Sequence, residues 1–236
     1  MKEDFEGSVS SKLAKEAYKP LYRMATNTNI PDNLILGRNT TSIIQQDAKL
    51  IGFTMAKYKF AGKMFESFES VLEIGCMDGF GSLILSQFVR KLTSIDFFKE
   101  HIIQATKFTL PNTNNIEFKA ADFLDGGFSK YDGIVAFDVL EHIDPSQEQI
   151  FMQNIVSSLS PHGVFIVGIP SLESQAYASE LNRSSHINCK SSSKLSELAK
   201  QYFYNVFPFA FNDEVLHTGF APMCQYLVRV CSSPKV

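Results

Sequence analysis

Residues 71–82, VLEIGCMDGFGS, constrain the fold of this chain more than any other segment. They begin with a short β-prone run, pass through a glycine-rich turn and lead into an apolar pattern of helical spacing at 83–89. Glycine allows the backbone to turn sharply and to approach a ligand closely, and a helix N-terminus leaves N–H groups free to face it. The segment therefore predicts the first strand–turn–helix unit of a nucleotide-binding α/β domain. The glycines of the turn are Gly75, Gly79 and Gly81.

A second strand, LTSIDF at 92–97, ends in an acid, Asp96. This acid lies about 20 residues past the turn, where such folds hold the hydroxyls of a ribose. A glycine turn alone is weak evidence, but a turn preceded by Glu73 and followed by Asp96 is more specific.

The segment EIGCMDG resembles the first motif of the class I S-adenosylmethionine (SAM)-dependent methyltransferases, an acid and an apolar residue followed by glycines at alternating positions. Glu73, Gly75 and Gly79 match this motif. Met77 departs from it, because the family usually has glycine there, and its side chain must point away from the cofactor. The resemblance implies SAM as methyl donor and S-adenosylhomocysteine (SAH) as product.

Two later strands carry further motifs of the same family. The run 116–125, IEFKAADFLD, ends in Asp122 and Phe123, which the resemblance places beside the adenine. The Phe123 ring could add a stacking face there. Asp122 as a simple strand-end cap is the alternative. The run 131–143, YDGIVAFDVLEHI, resembles the fourth-strand motif of small-molecule methyltransferases. The implied cofactor-binding residues are Glu73, Gly75, Cys76, Met77, Gly79, Asp96, Phe97, Asp122, Phe123 and Asp138.

Alternating strands and helices up to 163–171 predict an α/β fold with helices on both faces of the sheet. We expect a Rossmann-like, doubly wound, seven-stranded and mostly parallel sheet whose last strand is antiparallel. The tail strands 205–213 and 222–231 resemble the closing hairpin of the family. We expect an N-terminal helical segment at 1–62 that covers the substrate, followed by a SAM-binding domain at 63–236.

The N-terminal segment has helical patterns at 10–26, interrupted by Pro20, and at about 41–60. Segments at this place often cover the substrate pocket in the resembled family. The alternative is that the tyrosines pack in the core and the arginines are solvated. The candidate substrate residues of this segment are Tyr18, Tyr22, Arg23 and Arg38.

Three of the five histidines, His142, His186 and His217, follow strands or loops at the edge where parallel sheets bind ligands. An imidazole can act as a general base near neutral pH, and Glu141 could orient it. A structural role is the alternative for each histidine. Imidazoles and carboxylates together could also bind a divalent metal, but the spacing shows no compact ligand motif, so no metal site is predicted. Further candidate substrate residues are Arg183, Asn212 and Glu214.

The composition narrows the class of protein. The net charge of −3 gives no electrostatic case for nucleic-acid binding, and no apolar run reaches the length of a membrane span. The N-terminus is too polar for a secretory signal, and the four cysteines are scattered. We expect a cytoplasmic protein with reduced thiols; whether it forms a homodimer stays open.

The predicted function is methyl transfer from SAM to a hydroxyl or amine of a small polar metabolite, first of all a sugar or sugar nucleotide. A protein or RNA substrate is the alternative among methyltransferases, and a non-catalytic SAM-binding protein is the alternative outside the enzymes. The glycine turn by itself is also typical of a nicotinamide-dependent oxidoreductase. Glu73 and the DVLEH segment count against it.

Overall fold

The computed structural model describes residues 36–107 and 113–235, together with Glu16 and Lys19. Leu36–Val236 form one compact unit, to which the following description applies. The predicted helix at 10–26 lies, apart from Glu16 and Lys19, outside the described residues. Tyr18, Tyr22 and Arg23 lie outside them as well.

Eight strands form one sheet. They are β1 (Val71–Ile74), β2 (Leu92–Asp96), β3 (Ile116–Ala120), β4 (Tyr131–Phe137), β5 (Leu159–Pro170), β6 (Phe203–Asn212), β7 (Val215–His217) and β8 (Tyr226–Pro234). Their order across the sheet is β3-β2-β1-β4-β5-β8-β6-β7. Strands β1 to β5 are parallel, and β8 pairs antiparallel with both β5 and β6. The fold class predicted from the sequence is confirmed.

The sheet has one strand more than the seven expected. The additional strand, β7, is three residues long and pairs antiparallel with β6 at the edge. Its three residues, two of them exposed, are too few to show an alternating apolar pattern in the sequence. The run 160–163, Ser-Pro-His-Gly, is typical of a turn in sequence but lies within β5, and the register between β4 and β5 shifts between Tyr131 and Gly133.

The described helices are α1 (Arg38–Asp47), α2 (Leu50–Met64), α3 (Phe80–Leu85), α4 (Lys99–Ala105), α5 (Glu148–Ser158), α6 (Glu180–Ser185) and α7 (Ser192–Tyr202). The single helix expected at 41–60 is two helices, α1 and α2. The Asp47 carboxylate accepts a hydrogen bond from the Lys49 N–H over 3.1 Å. Such a local bond competes with the helical backbone pattern and marks the break. None of the described helices is long and apolar enough to cross a membrane.

Alternate residues of the central strands face two separate cores. Ile134 and Ala136 of β4 pack on one face with residues of α5 and α7. Val135 and Phe137 pack on the other face with α2 and α3. This alternation buries both faces of the sheet, as the doubly wound arrangement requires. It leaves the carboxyl ends of β1 to β5 as the edge where a ligand can bind.

Candidate functional site

The glycine turn after β1 has the left-handed backbone conformation expected at such a turn. Gly75 has φ +78°, Gly79 has φ +83° and Met77 between them has φ +49°. The Met77 side chain is 43% exposed. The turn therefore keeps its left-handed form with a non-glycine residue in the middle, at a cost that glycine would not carry.

Asp96, at the end of β2, is buried and accepts three hydrogen bonds. Its donors are the N–H of Met77 at 2.8 Å, the N–H of Phe98 at 2.8 Å and a ring nitrogen of His101 at 2.9 Å. The carboxylate thus connects the glycine turn to the start of α4. A carboxylate offers about four lone-pair positions, and these hydrogen bonds use three of them. Asp96 can therefore still accept a hydrogen bond from a ligand hydroxyl.

Glu73 is buried at the end of β1, beneath the turn. The hydroxyls of Ser82 and Ser94 donate to its Oε2 over 2.5 Å and 2.6 Å. Its Oε1 has no hydrogen-bond partner among the described residues. Burial raises the pKa of this carboxyl, and the nearby hydroxyls of Ser82, Ser94 and Tyr58 act in the opposite direction. A left-handed glycine turn held beside the Asp96 carboxylate fits the predicted cofactor, and buried Glu73 supports the turn from below.

The N-terminus of α1 is attached to the same turn. Buried Asp78 accepts hydrogen bonds from the Thr40 N–H at 2.8 Å and the Thr40 hydroxyl at 2.7 Å. Asn39 contacts His101 at 3.1 Å, so that α1 is also tied to α4. Sequence reasoning missed Asp78 and His101. No local pattern joins them to α1, since their partners are far away along the chain.

Asp122 and Phe123 form the start of a short 3₁₀ turn. Asp122 caps this turn by accepting a hydrogen bond from the Leu124 N–H over 2.9 Å. The ring of Phe123 is buried against Phe128 and Phe151. The expected stacking face of Phe123 is therefore wrong, because the ring belongs to the core; its backbone N–H is the remaining candidate contact.

Asp138 follows β4 in a left-handed conformation, with φ +57°, and forms an ion pair with Lys57 of α2. The Lys57 side chain is 4% exposed. Its ammonium lies 4.6 Å from the ring centre of Phe53 and 4.5 Å from that of Tyr226. Sequence reasoning missed Lys57, although a lone lysine on the apolar face of a predicted helix is a recognisable signal.

Glu141, His142 and His186 lie together beyond β4. One ligand-type atom from each of them lies within 4.8 Å of the others. Buried Asn188 holds the two segments in place, since its N–H donates to the Glu141 carbonyl over 2.9 Å. Burial raises the pKa of Glu141, and the nearby Asp138 carboxylate raises it further.

A cavity of about 810 Å³ opens at this edge of the sheet. Asp138, Glu141 and His186 line it together with Phe53 and Tyr226. The segment that carries Asp138 and Glu141 also touches the glycine turn, because Val139 packs against Gly75, where an added Cβ would lie 2.5 Å from the Val139 side chain. The arrangement can hold a small molecule beside a ligand of the glycine turn.

The remaining predicted residues lie away from this cavity or serve other contacts. His217 is on β7 at the far edge of the sheet, where its Nδ1 accepts a hydrogen bond from the Gly219 N–H. Of the three histidines expected at one edge of the sheet, His142 and His186 lie together and His217 does not. Arg183 donates to the Ala178 carbonyl, and Asn212 accepts from the Gln225 N–H.

Four more predicted residues have these positions. Glu214 is exposed and lies near Gly52 of α2, and Arg38 is exposed at the start of α1. Phe97 is 65% exposed beside the glycine-turn edge, and the Cys76 side chain is buried.

Part of this chain is similar in sequence to known proteins. The chain is 28% identical over 101 residues to a carboxy-S-adenosyl-L-methionine synthase of Helicobacter pylori (strain P12), a match covering 42% of the chain and 41% of that protein. It is 27% identical over 108 residues to a ubiquinone biosynthesis O-methyltransferase of Rickettsia typhi, covering 45% and 43%. The matches thus span less than half the length of these relatives.

The fold is similar to that of the N-methyltransferase NodS from Bradyrhizobium japonicum WM9 in complex with SAH. The TM-score is 0.58 at 19% identity, over 92% of this chain and 98% of that one. The family model described as "Methyltransferase domain" matches residues 47–207, which is more than half of the chain. The chain therefore belongs to the methyltransferase domain family, a class I SAM-dependent family.

Proposed function

We propose that this methyltransferase acts on a hydroxyl of a small polar molecule that binds in the cavity beyond β4. The observation that carries the proposal is the position of Glu141 and His186 in the cavity wall, with Glu141 two residues after Val139, which packs against Gly75 of the turn. A site for handling an acceptor proton thus adjoins the predicted cofactor site.

The glycine turn, Glu73 and Asp96 would hold the cofactor. SAM supplies, when bound, a methyl group already activated by its positive sulfonium. The protein's part is then to align the acceptor, exclude water and accept the acceptor's proton. Phe53 and Tyr226 provide apolar walls that exclude water from the cavity.

His186 has the properties of a proton acceptor. Partial burial lowers the pKa of His186, and the neighbouring His142 imidazole lowers it further. The ring is therefore neutral at neutral pH and keeps one nitrogen available as an acceptor. A hydroxyl needs such a group because its proton must leave as the new bond forms, whereas a neutral amine needs it less. This difference favours a hydroxyl acceptor over an amine.

The charged residues of the cavity distinguish between a sugar and a sugar nucleotide as the acceptor. Lys57 is the one cation among the described residues that line it, and Asp138 neutralises this cation. The diphosphate group of a sugar nucleotide is negatively charged and is bound by cationic side chains. Gln175, Asn182 and Gln225 offer neutral hydrogen-bonding groups instead. We therefore favour an uncharged polyhydroxylated acceptor, such as a sugar without a diphosphate.

Calorimetric titration with SAM and SAH tests the cofactor part, and transfer of a labelled methyl group to a panel of sugars, sugar nucleotides and amines tests the acceptor part. We expect both cofactors to bind and the label to enter neutral hydroxylated compounds. Asp96→Asn should weaken SAM binding, while Asp125→Asn, a change at an exposed carboxylate, should not. Labelling of amines alone would contradict the hydroxyl assignment.

A further inference from the structure

We propose that Glu141, His142 and His186 bind a divalent transition-metal cation beside the cavity. The sequence predicted no metal site, because His186 is far from the DVLEH segment along the chain. The fold brings one ligand-type atom of each residue within 4.8 Å of the others. Two imidazoles and one carboxylate form a donor set that suits Zn²⁺, Co²⁺, Fe²⁺ or Mn²⁺.

Glu141 provides the strongest indication of a missing partner. Its side chain is 0% exposed, and neither carboxylate oxygen has a hydrogen-bond partner among the described residues. A buried carboxylate without a partner is costly, and proteins pair such groups or coordinate them to metals. Lys57 does not supply the partner, because its ammonium is paired with Asp138.

The two imidazoles are oriented as metal ligands are. Nδ1 of His142 lies 3.0 Å from the Ser185 carbonyl oxygen, and Nδ1 of His186 lies 3.0 Å from the amide oxygen of Gln175. Both oxygens can only accept, so each ring carries its proton on Nδ1. The other nitrogen, Nε2, is then left as an acceptor. Outer hydrogen bonds of this type fix the ring and its tautomer at metal sites.

The backbone around the cluster is held at two points. The Asn188 N–H donates to the Glu141 carbonyl, and the Asn188 side chain donates to Glu148 over 3.0 Å. Lys190 forms an ion pair with the same glutamate at 2.5 Å. The segment that carries His186 is thus fixed against the turn that carries Glu141 and His142 before any metal binds.

The role of the cation rests on the proposed function, but its binding does not. A cation here would adjoin the acceptor site and would make an acceptor hydroxyl more acidic. The Nε2 atom of His186 would then bind the cation and could not accept the proton, so the acidified hydroxyl would release its proton to solvent and His186 would act as proton acceptor only in the metal-free protein. An acceptor with two neighbouring hydroxyl oxygens would suit it best, because both oxygens can reach one cation. This refines the proposed acceptor to a vicinal diol.

Binding is tested on the full chain, freed of metal with a chelator, by calorimetry with Zn²⁺, Co²⁺, Mn²⁺ and Mg²⁺ alone. We expect one equivalent of Zn²⁺ or Co²⁺ to bind, with visible d–d absorption for Co²⁺, and Mg²⁺ to bind more weakly because it prefers oxygen ligands. His186→Ala and Glu141→Gln should weaken Co²⁺ binding about 100-fold or more, and Gln175→Ala about tenfold. His162→Ala, at an exposed histidine outside the cluster, should leave it unchanged.

The outcomes separate this proposal from the proposed function. The metal site would be overturned if Zn²⁺ and Co²⁺ showed no saturable binding, or if wild type, His142→Ala and His186→Ala bound them equally. Both histidine changes lie outside the core. They therefore keep the test valid even if Glu141→Gln folds poorly. Preference for Mg²⁺ over Co²⁺ would overturn it too. Co²⁺ binding in a protein that takes no SAM would uphold the site and reject the methyl-transfer proposal.

Discussion

The backbone N–H of Met77 donates a hydrogen bond to a carboxylate oxygen of Asp96 over 2.8 Å. This bond joins the middle of the glycine turn to the end of the neighbouring strand. It requires Met77 to keep a left-handed conformation, with φ +49°, which costs an L-residue roughly 1–2 kcal/mol. The turn thus keeps its form because a buried carboxylate holds it, despite the residue at its centre.

Met77→Gly should therefore stabilise the folded protein. Glycine adopts the left-handed form without the steric cost, although its freer unfolded chain offsets part of the gain. We expect a net increase of roughly 0.5–1 kcal/mol in the free energy of unfolding. Urea unfolding measures it. Met77→Ala keeps the Cβ and should show no gain; an equal gain in both variants would assign the effect to the side chain instead.

Asp78 anchors α1 to the glycine turn, and its removal should cost stability. Asp78→Ala leaves the Thr40 N–H and hydroxyl without their partner in a buried place, so we expect a loss of about 2–4 kcal/mol. Asp78→Asn, which keeps one acceptor oxygen, should lose less. Thermal or urea unfolding measures both variants.

The exposed residue Asp125 offers a matched control for this anchor. Asp125→Ala should change the free energy of unfolding by less than about 0.5 kcal/mol. A similar small effect for Asp78→Ala would show that α1 stays in place without this carboxylate. Gly37→Ala should also destabilise, because its Cβ would lie 2.3 Å from the Asp78 side chain.

The elements of the sheet could be predicted because their signals are local. The strand–turn–helix pattern at 71–82 and the acid at 96 lie within short windows, and the structure places them where they were expected. Strand β7 could not be predicted, since three residues are too few to show a periodic pattern. The break between α1 and α2 depends on one Asp47 side chain, which a long apolar pattern conceals.

The residues of the candidate site, too, could be predicted only where their signal is local in the sequence. Glu141 and His142 come from one motif and were found. Their contact with His186 depends on Asn188 and on the path of the chain after β5, which no local window contains. Phe123 was assigned a stacking role because its neighbours in sequence suggested a site, whereas its contacts with Phe128 and Phe151 are tertiary.

Lys57 and Asp138 should depend on each other. Lys57→Met leaves Asp138 without its cation, and because Asp138 is 44% exposed we expect a loss of roughly 1–3 kcal/mol, less than for a fully buried pair. The double variant Lys57→Met/Asp138→Asn should recover most of it. A double-mutant cycle by urea unfolding measures the coupling.

Lys63 supplies the comparison for this pair. Its ion pair with Glu66, at 3.4 Å, is exposed, so Lys63→Met should change stability by less than about 0.5 kcal/mol. If Lys57→Met were as mild as Lys63→Met, or if the double variant recovered nothing, the pair would not be coupled.

Cys231 should make the protein lose stability at alkaline pH. Burial raises the pKa of its thiol to about 12, although the Arg229 guanidinium acts in the opposite direction. In the unfolded chain a thiol has a pKa of about 8.5. Between these values the unfolded chain has lost a proton that the folded protein keeps, so stability is fully present below about pH 8.5 and falls as the pH rises towards 12.

Cys231→Ala removes this contribution and should flatten the dependence. Above pH 9 the free energy of unfolding of the wild type should fall more steeply than that of the variant, by about 1.4 kcal/mol for each pH unit. Urea unfolding at pH 8, 9 and 10 (about the range in which the thiol of the unfolded chain titrates) measures the two slopes. Any constant offset from the smaller side chain cancels in this comparison. Parallel curves would mean that the thiol titrates alike in both states, and that its burial does not suppress ionisation.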